Sequence, residues 1–135
     1  MGMKFGGFDE FDKRLARLAK QAPVKRDQFV AQEAEILIGK AKDNTPTGSP
    51  GAPLKNGWRR TPIVDGVAVV FNNVEYAAHV EYGHRQKPGR FVPAIGKRLK
   101  RDFVPGKKML HRAMLQSGKS FKKDAEAILK GLIDA

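Results

Sequence analysis

The 135-residue sequence predicts an α+β fold: a small antiparallel sheet built on a β-hairpin, packed against N-terminal helices and a long C-terminal helix. Three observations carry this. Apolar residues recur at helical spacing toward both ends of the chain, and an Asp-Gly pair separates two strand-like runs in the middle. No repeat or low-complexity tract interrupts that order, and the length suits one domain spanning 1–135.

The first element follows from Phe8, Phe11, Leu15 and Leu18, which form one stripe while Lys13, Arg14, Arg17 and Lys20 occupy the rest of the surface. Pro23 suits the first turn of a second helix, whose stripe is Val30, Ala34, Leu37 and Ala41, widened by Phe29 and Ile36. Together the two cover about 8–43. Asp43-Asn44-Thr45-Pro46 ends them, because the residue before proline is pushed out of the α region. The stretch 44–57 contains TPTGSPGAPLKNG and reads as a loop, mobile before assembly for want of packing side chains.

WRRTPIVDGVAVVFN then gives a hairpin over 58–72. Asp65-Gly66 at the turn pairs Val64 with Val67, Pro62 with Val69 and Arg60 with Phe71. That register places Trp58, Pro62, Val64, Val67, Val69 and Phe71 on one face. Pro62 has no N–H to give a ladder, so its strand belongs at an edge. Asn73 is the expected N-cap of a short helix over 74–82, with Gly83 as its left-handed terminator. After a basic strip over 84–108, Leu110, Met114, Phe121, Ala125, Ile128 and Leu132 mark a helix from about 107 to 134, with a bend expected at Ser117-Gly118.

Charge is the sharpest compositional signal, at net +12 and a pI near 10.2. From His84 to Arg112 ten Lys/Arg face one acid, Asp102, so nine of the twelve net charges lie there. Such a strip implies an acidic partner, whether phosphate backbone, anionic lipid or an acidic protein face; a solvated loop is the bland reading. No run is long and apolar enough to cross a bilayer, and the first residues predict no secretory leader. Absence of cysteine excludes disulfides, thiolate metal sites and Cys nucleophiles.

Catalytic constellations are not visible. His79 and His84 lie five apart, about 140° around a helix, so they do not share a face for a metal, and HExxH is missing. Glu75 and His79 share a face at i and i+4, a spacing that more often makes a weak surface ion pair. Gly118-Lys119-Ser120 resembles the end of a phosphate loop, but Ala113 stands where its first glycine is required. Ser49, Ser117 and Ser120 sit in no nucleophile elbow. The expectation is therefore no enzyme, no cofactor, no metal and no catalytic residue.

Two non-enzymatic readings remain. In one, Trp58, Tyr76, Tyr82 and Phe91 are interface anchors with Arg at their rims, although Trp58 and Tyr76 could equally fill the core. Tyr76 and Val80 would face inward, leaving His79, Glu81 and Tyr82 outward. In the other, the chain is a small basic nucleic-acid-binding protein, with Phe91 and Phe103 available for stacking.

The segments TPTGSPGAPLKNGW, NNVEYAAHVEYGHR and FVPGKKMLHRAM carry a family likeness. Thr47, Gly48 and Leu54 precede a strand; Tyr76, Ala77, Val80, Glu81, Tyr82 and Gly83 form the middle motif; Pro105, Leu110 and Ala113 open the last helix. Over about 44–115 the chain resembles the tail-completion or neck proteins of long-tailed bacteriophages and prophages. It departs from them in an inserted Ser-Pro-Gly-Ala-Pro and in a basic AIGKRLKRD between two Phe-Val-Pro copies. The resemblance implies a virion protein made in the host bacterial cytoplasm and assembled as a ring around the DNA channel. Its implied partners are copies of itself, a head-closure or connector protein, and a tail terminator or tail tube protein, with no membrane. Trp58, Glu81, Tyr82, His84, Arg85, Arg90 and Phe91 are then the expected subunit-interface residues, the segment 75–92 meeting the loop 45–57 of a neighbour. Lys97, Arg98, Lys100, Arg101, Lys107 and Lys108 are the expected contacts to DNA, without sequence preference, or to an acidic partner.

Overall fold

The computed structural model describes residues 9–46, 51–86, 88–93, 96–98, 100 and 102–134. The expected positions Phe8, Thr47, Gly48 and Arg101 lie outside the described residues. The class is α+β. Its elements are α1 (Asp9–Asp43), α2 (Gly51–Asn56), β1 (Trp58–Arg60), β2 (Val70–Asn72), α3 (Ala77–Tyr82), β3 (Gly83–Arg85), β4 (Phe91–Val92), β5 (Lys97–Arg98), β6 (Phe103–Pro105) and α4 (Met109–Asp134). Among the described residues the strands form three two-stranded antiparallel ladders, β1–β2, β3–β6 and β4–β5.

Two long helices frame everything else. They run antiparallel: Asn44 Nδ2 donates to Gln116 Oε1, the Phe29 and Phe121 rings meet edge to face at 5.2 Å, and Arg14 reaches the Ile133 carbonyl. Contrary to the expected break, α1 is continuous through Pro23. A proline inside a helix removes one hydrogen bond and costs about 3 kcal/mol. Pro23 is exposed, and contacts with α4 hold the helix on both sides of it, through Arg14 before and Phe29 after. The helix ends at Asp43 as the sequence predicts, with Asn44 Nδ2 closing on the Lys40 carbonyl.

The core sits where the C-terminal part of α1 meets the start of α4. Ile38, Ala41, Leu54, Trp58, Met109 and Ala113 are its buried members, and Val70, Val74, Tyr76, Val80 and Leu110 pack around them. Leu54 belongs to α2, so part of the expected 44–57 loop is a helical turn whose one large apolar side chain is buried. Asn72 Nδ2 donates to the Leu54 carbonyl and Asn73 N–H to that of Gly57, which fasten α2 to the end of β2.

The hairpin turn is as expected: Asp65 and Gly66 have φ of 50° and 75°, and Val64 bridges Val67. The register beyond it differs. Arg60 pairs with Val70 and Arg59 with Phe71, one residue away from the predicted alignment. Thr61 N–H donates to the Val69 carbonyl, so Pro62 and Ile63 together oppose Ala68 in a bulge. A prolyl residue has no ladder donor, which is why the slip falls there. Since side chains alternate along a strand, a one-residue shift exchanges the faces. Trp58 points inward with Val70, while Val64, Val67, Val69 and Phe71 point out.

The short helix is also shorter than predicted. Asn72, not Asn73, accepts a turn hydrogen bond, from Val74 N–H, and α3 begins only at Ala77. The basic strip folds back on itself: β3 pairs with β6, Gln86 N–H continues that ladder to the Asp102 carbonyl, and β4–β5 is nested between them in the chain.

Candidate interaction surfaces

The motif Glu81-Tyr82-Gly83 divides between inside and outside. Glu81 is buried, and its carboxylate accepts the N–H groups of Leu110 at 2.9 Å and His111 at 3.0 Å. Those are first-turn donors of α4, which no carbonyl within the helix can satisfy, and a negative charge there also complements the helix dipole. Lys107 and Lys108 N–H donate to the Val80 and Glu81 carbonyls, so backbone and side chain grip the same turn. The expectation that Glu81 faces outward is corrected: orphan amides at the start of α4 draw it in.

Gly83 follows with φ of +84° and ψ of 171°, a backbone region open in practice only to glycine rather than the left-handed helical cap expected. A side chain there would collide with the Val104 carbonyl, and one on Gly106 with the Glu81 carbonyl. The two glycines let β3–β6 cross α3 at backbone contact.

Tyr82 is 78% exposed and faces solvent as expected. The His79 and His84 rings meet edge to face at 5.5 Å because the chain leaves the helix at Gly83, which the helical-wheel argument could not anticipate. His84 Nδ1 is buried without a hydrogen-bond partner among the described residues. Among those residues no three His, Asp or Glu side chains converge as a metal site would need.

Trp58 is a core residue. It is 4% exposed, and its indole N–H donates to Thr45 Oγ1, which in turn donates to the Ala41 carbonyl. The ladders from Gly83 to Pro105 instead carry exposed groups: Arg85, Arg90, Phe91, Lys97, Arg98, Phe103, and flanking Lys100, Lys107 and Lys108. Arg98 is held by a hydrogen bond from its guanidinium to the Gly89 carbonyl. The described ion pairs, Lys13–Glu10, Arg26–Asp27 and Arg60–Glu35, include none of these cations.

Two apolar surfaces escaped the sequence reading. The outer face of the first hairpin exposes Val64, Val67, Val69 and Phe71 by 65, 62, 54 and 40%. The signal was Pro62, whose bulge decides which face is which. Away from the core, α1 and α4 leave Phe11, Leu15, Leu129 and Ile133 exposed, and an open groove of about 480 Å³ runs past Ala22, Pro23, Phe29 and Leu132. Helical stripes reveal such residues but not that one partner helix is too little to cover them.

Glu33 was missed as well, although it lies on the stripe between Val30 and Leu37. It is buried, one carboxyl oxygen lacks a donor among the described residues, and its pKa is pushed up to about 7. Burial is the main cause; a side-chain hydrogen bond with Asp124 across the α1–α4 contact and that residue's charge add to it.

A family model described as "Bacteriophage HK97-gp10, putative tail-component" matches residues 9–83. No curated protein and no solved structure matches the chain. The matched span is more than half of the sequence and ends at Gly83, so it includes Glu81 and the first hairpin but stops short of the basic ladders and of α4, whose amides donate to Glu81.

Proposed function

This chain belongs to the HK97-gp10-like family of bacteriophage tail components, and on that premise we propose that it is a structural protein of the head–tail junction. It acts as a ring of identical copies that joins a head-closure or connector protein to a tail terminator or tail tube. Its work is surface fit, not turnover of a small molecule.

The observation that carries this reading is the pair of apolar surfaces on different parts of the subunit. Four contiguous apolar side chains on the outer hairpin face, and another four on the free ends of α1 and α4, are costly to leave in water. A head-to-tail ring needs two unlike patches per subunit, so that each copy offers one to each neighbour. Tyr82 and Phe91, both exposed, supply further aromatic anchors. Glu81 serves differently: by fixing α3 to α4 it presents Tyr82 on a rigid support.

Complementation tests this. A phage lacking the gene should regain infectivity with the wild-type chain supplied from a plasmid. The Val69→Glu/Phe71→Glu double variant, whose changes lie at exposed positions, should accumulate as folded protein yet fail to restore plaques. Full titre with that variant would contradict the reading.

A further inference from the structure

We propose that the ladders between Gly83 and Pro105 form a cationic ribbon that binds the phosphate backbone of duplex DNA without base preference. The inference stands on the ribbon's own charge and geometry and would hold for a chain that joined no neck.

The described cations Arg85, Arg90, Lys97 and Arg98 are exposed, and none has a carboxylate partner in the described ion pairs. Like charges this close repel one another, and a polyanion relieves that repulsion while releasing its own counterions. The register shows how the charge is displayed. Phe91 stands opposite Arg98 and Val92 opposite Lys97. Cross-strand partners share a face and successive rungs alternate, so each face of the ribbon carries one cation beside one apolar side chain.

That arrangement favours nucleic acid over an acidic protein. Protein interfaces gather an apolar, charge-depleted centre on one side. Here cations lie on both sides, as suits a ribbon flanked by the two phosphate walls of a groove; the major groove, about 12 Å wide, admits a two-stranded ribbon. The Arg98–Gly89 hydrogen bond holds one guanidinium in place within the ribbon, which lowers the entropy it loses on contact.

The test is fluorescence anisotropy of the full chain with short duplexes of two unrelated sequences across a salt series. Both duplexes should bind equally at low salt. With four phosphates contacted, affinity should fall about 150-fold between roughly 50 and 200 mM salt. The Arg90→Gln/Lys97→Gln/Arg98→Gln variant should bind more weakly and lose only about 3-fold to 4-fold over that range. The Lys119→Gln/Lys122→Gln/Lys123→Gln variant removes equal charge from exposed sites on α4 and should keep the wild-type slope. Lys97→Gln alone, the mildest change, should lower the slope by about 0.9. Four results would each overturn the proposal: no binding at low salt, equal weakening by both triple variants, an unchanged slope with Lys97→Gln, or tighter binding of polyglutamate than of DNA.

Discussion

The carboxylate of Glu81 caps a helix that begins almost thirty residues later in the chain: Leu110 N–H donates to it at 2.9 Å. His111 N–H completes the pair at 3.0 Å, and both bonds are shielded, since Glu81 is 9% exposed. A contact between distant segments thus takes the place of a local N-cap residue, because Lys108, just before α4, has no side-chain acceptor and itself sits at φ of 50°.

Removing that carboxylate should unsettle the fold, not only the surface. Charge-assisted bonds to buried amides are worth about 1.5–3 kcal/mol each at most, and a lost cap about 1 kcal/mol. Glu81→Ala should therefore lower unfolding free energy by about 2–3 kcal/mol, read from urea midpoints. Glu81→Gln, which keeps one acceptor oxygen, should lose about half as much.

Gly83 should tolerate no side chain. Its positive φ and the Val104 carbonyl beside it penalise alanine twice, by strain and by collision. We expect Gly83→Ala to cost about 2–3 kcal/mol in the same assay. Gly89→Ala is the control: φ is again positive at +80°, but nothing lies within 4 Å of the added carbon, so the loss should be near 1 kcal/mol.

How much of this was legible in the sequence depends on how local the cause is. The Asp65-Gly66 turn and the end of α1 at Asp43 were readable because adjacent residues determine them. Glu81 was misread outward because its partners, Leu110 and His111, are remote in sequence. The hairpin faces were exchanged by one bulge at Pro62, and Pro23 proved passable because α4 supports the helix on both sides of it. Leu54 shows the converse: a Pro/Gly-rich segment looked like a free loop, although its single large apolar side chain is 2% exposed.

Stability should fall as pH rises through the titration of Glu33. Its folded pKa, about 7, lies above the ordinary 4.5, so between those values the native state holds a proton that the unfolded chain has released. The contribution is complete below about pH 4.5 and lost above about pH 7, on the order of 3 kcal/mol in all. Glu33→Gln should flatten this slope and be more stable than wild type at pH 8. An unchanged urea midpoint profile in Glu33→Gln would contradict the raised folded-state pKa of Glu33.

Tyr82→Ala should separate folding from assembly. At 78% exposure the ring contributes little to the monomer, so the urea midpoint should shift by less than about 0.5 kcal/mol. Complementation of the deletion phage should nevertheless drop sharply, as expected of an exposed aromatic that anchors a subunit contact.

The claim that this chain joins a head to a tail is tested most directly by electron micrographs of particles from a phage lacking its gene. Filled heads lying beside separate, finished tails are the predicted result. Complete, infectious virions in the same preparation would contradict it.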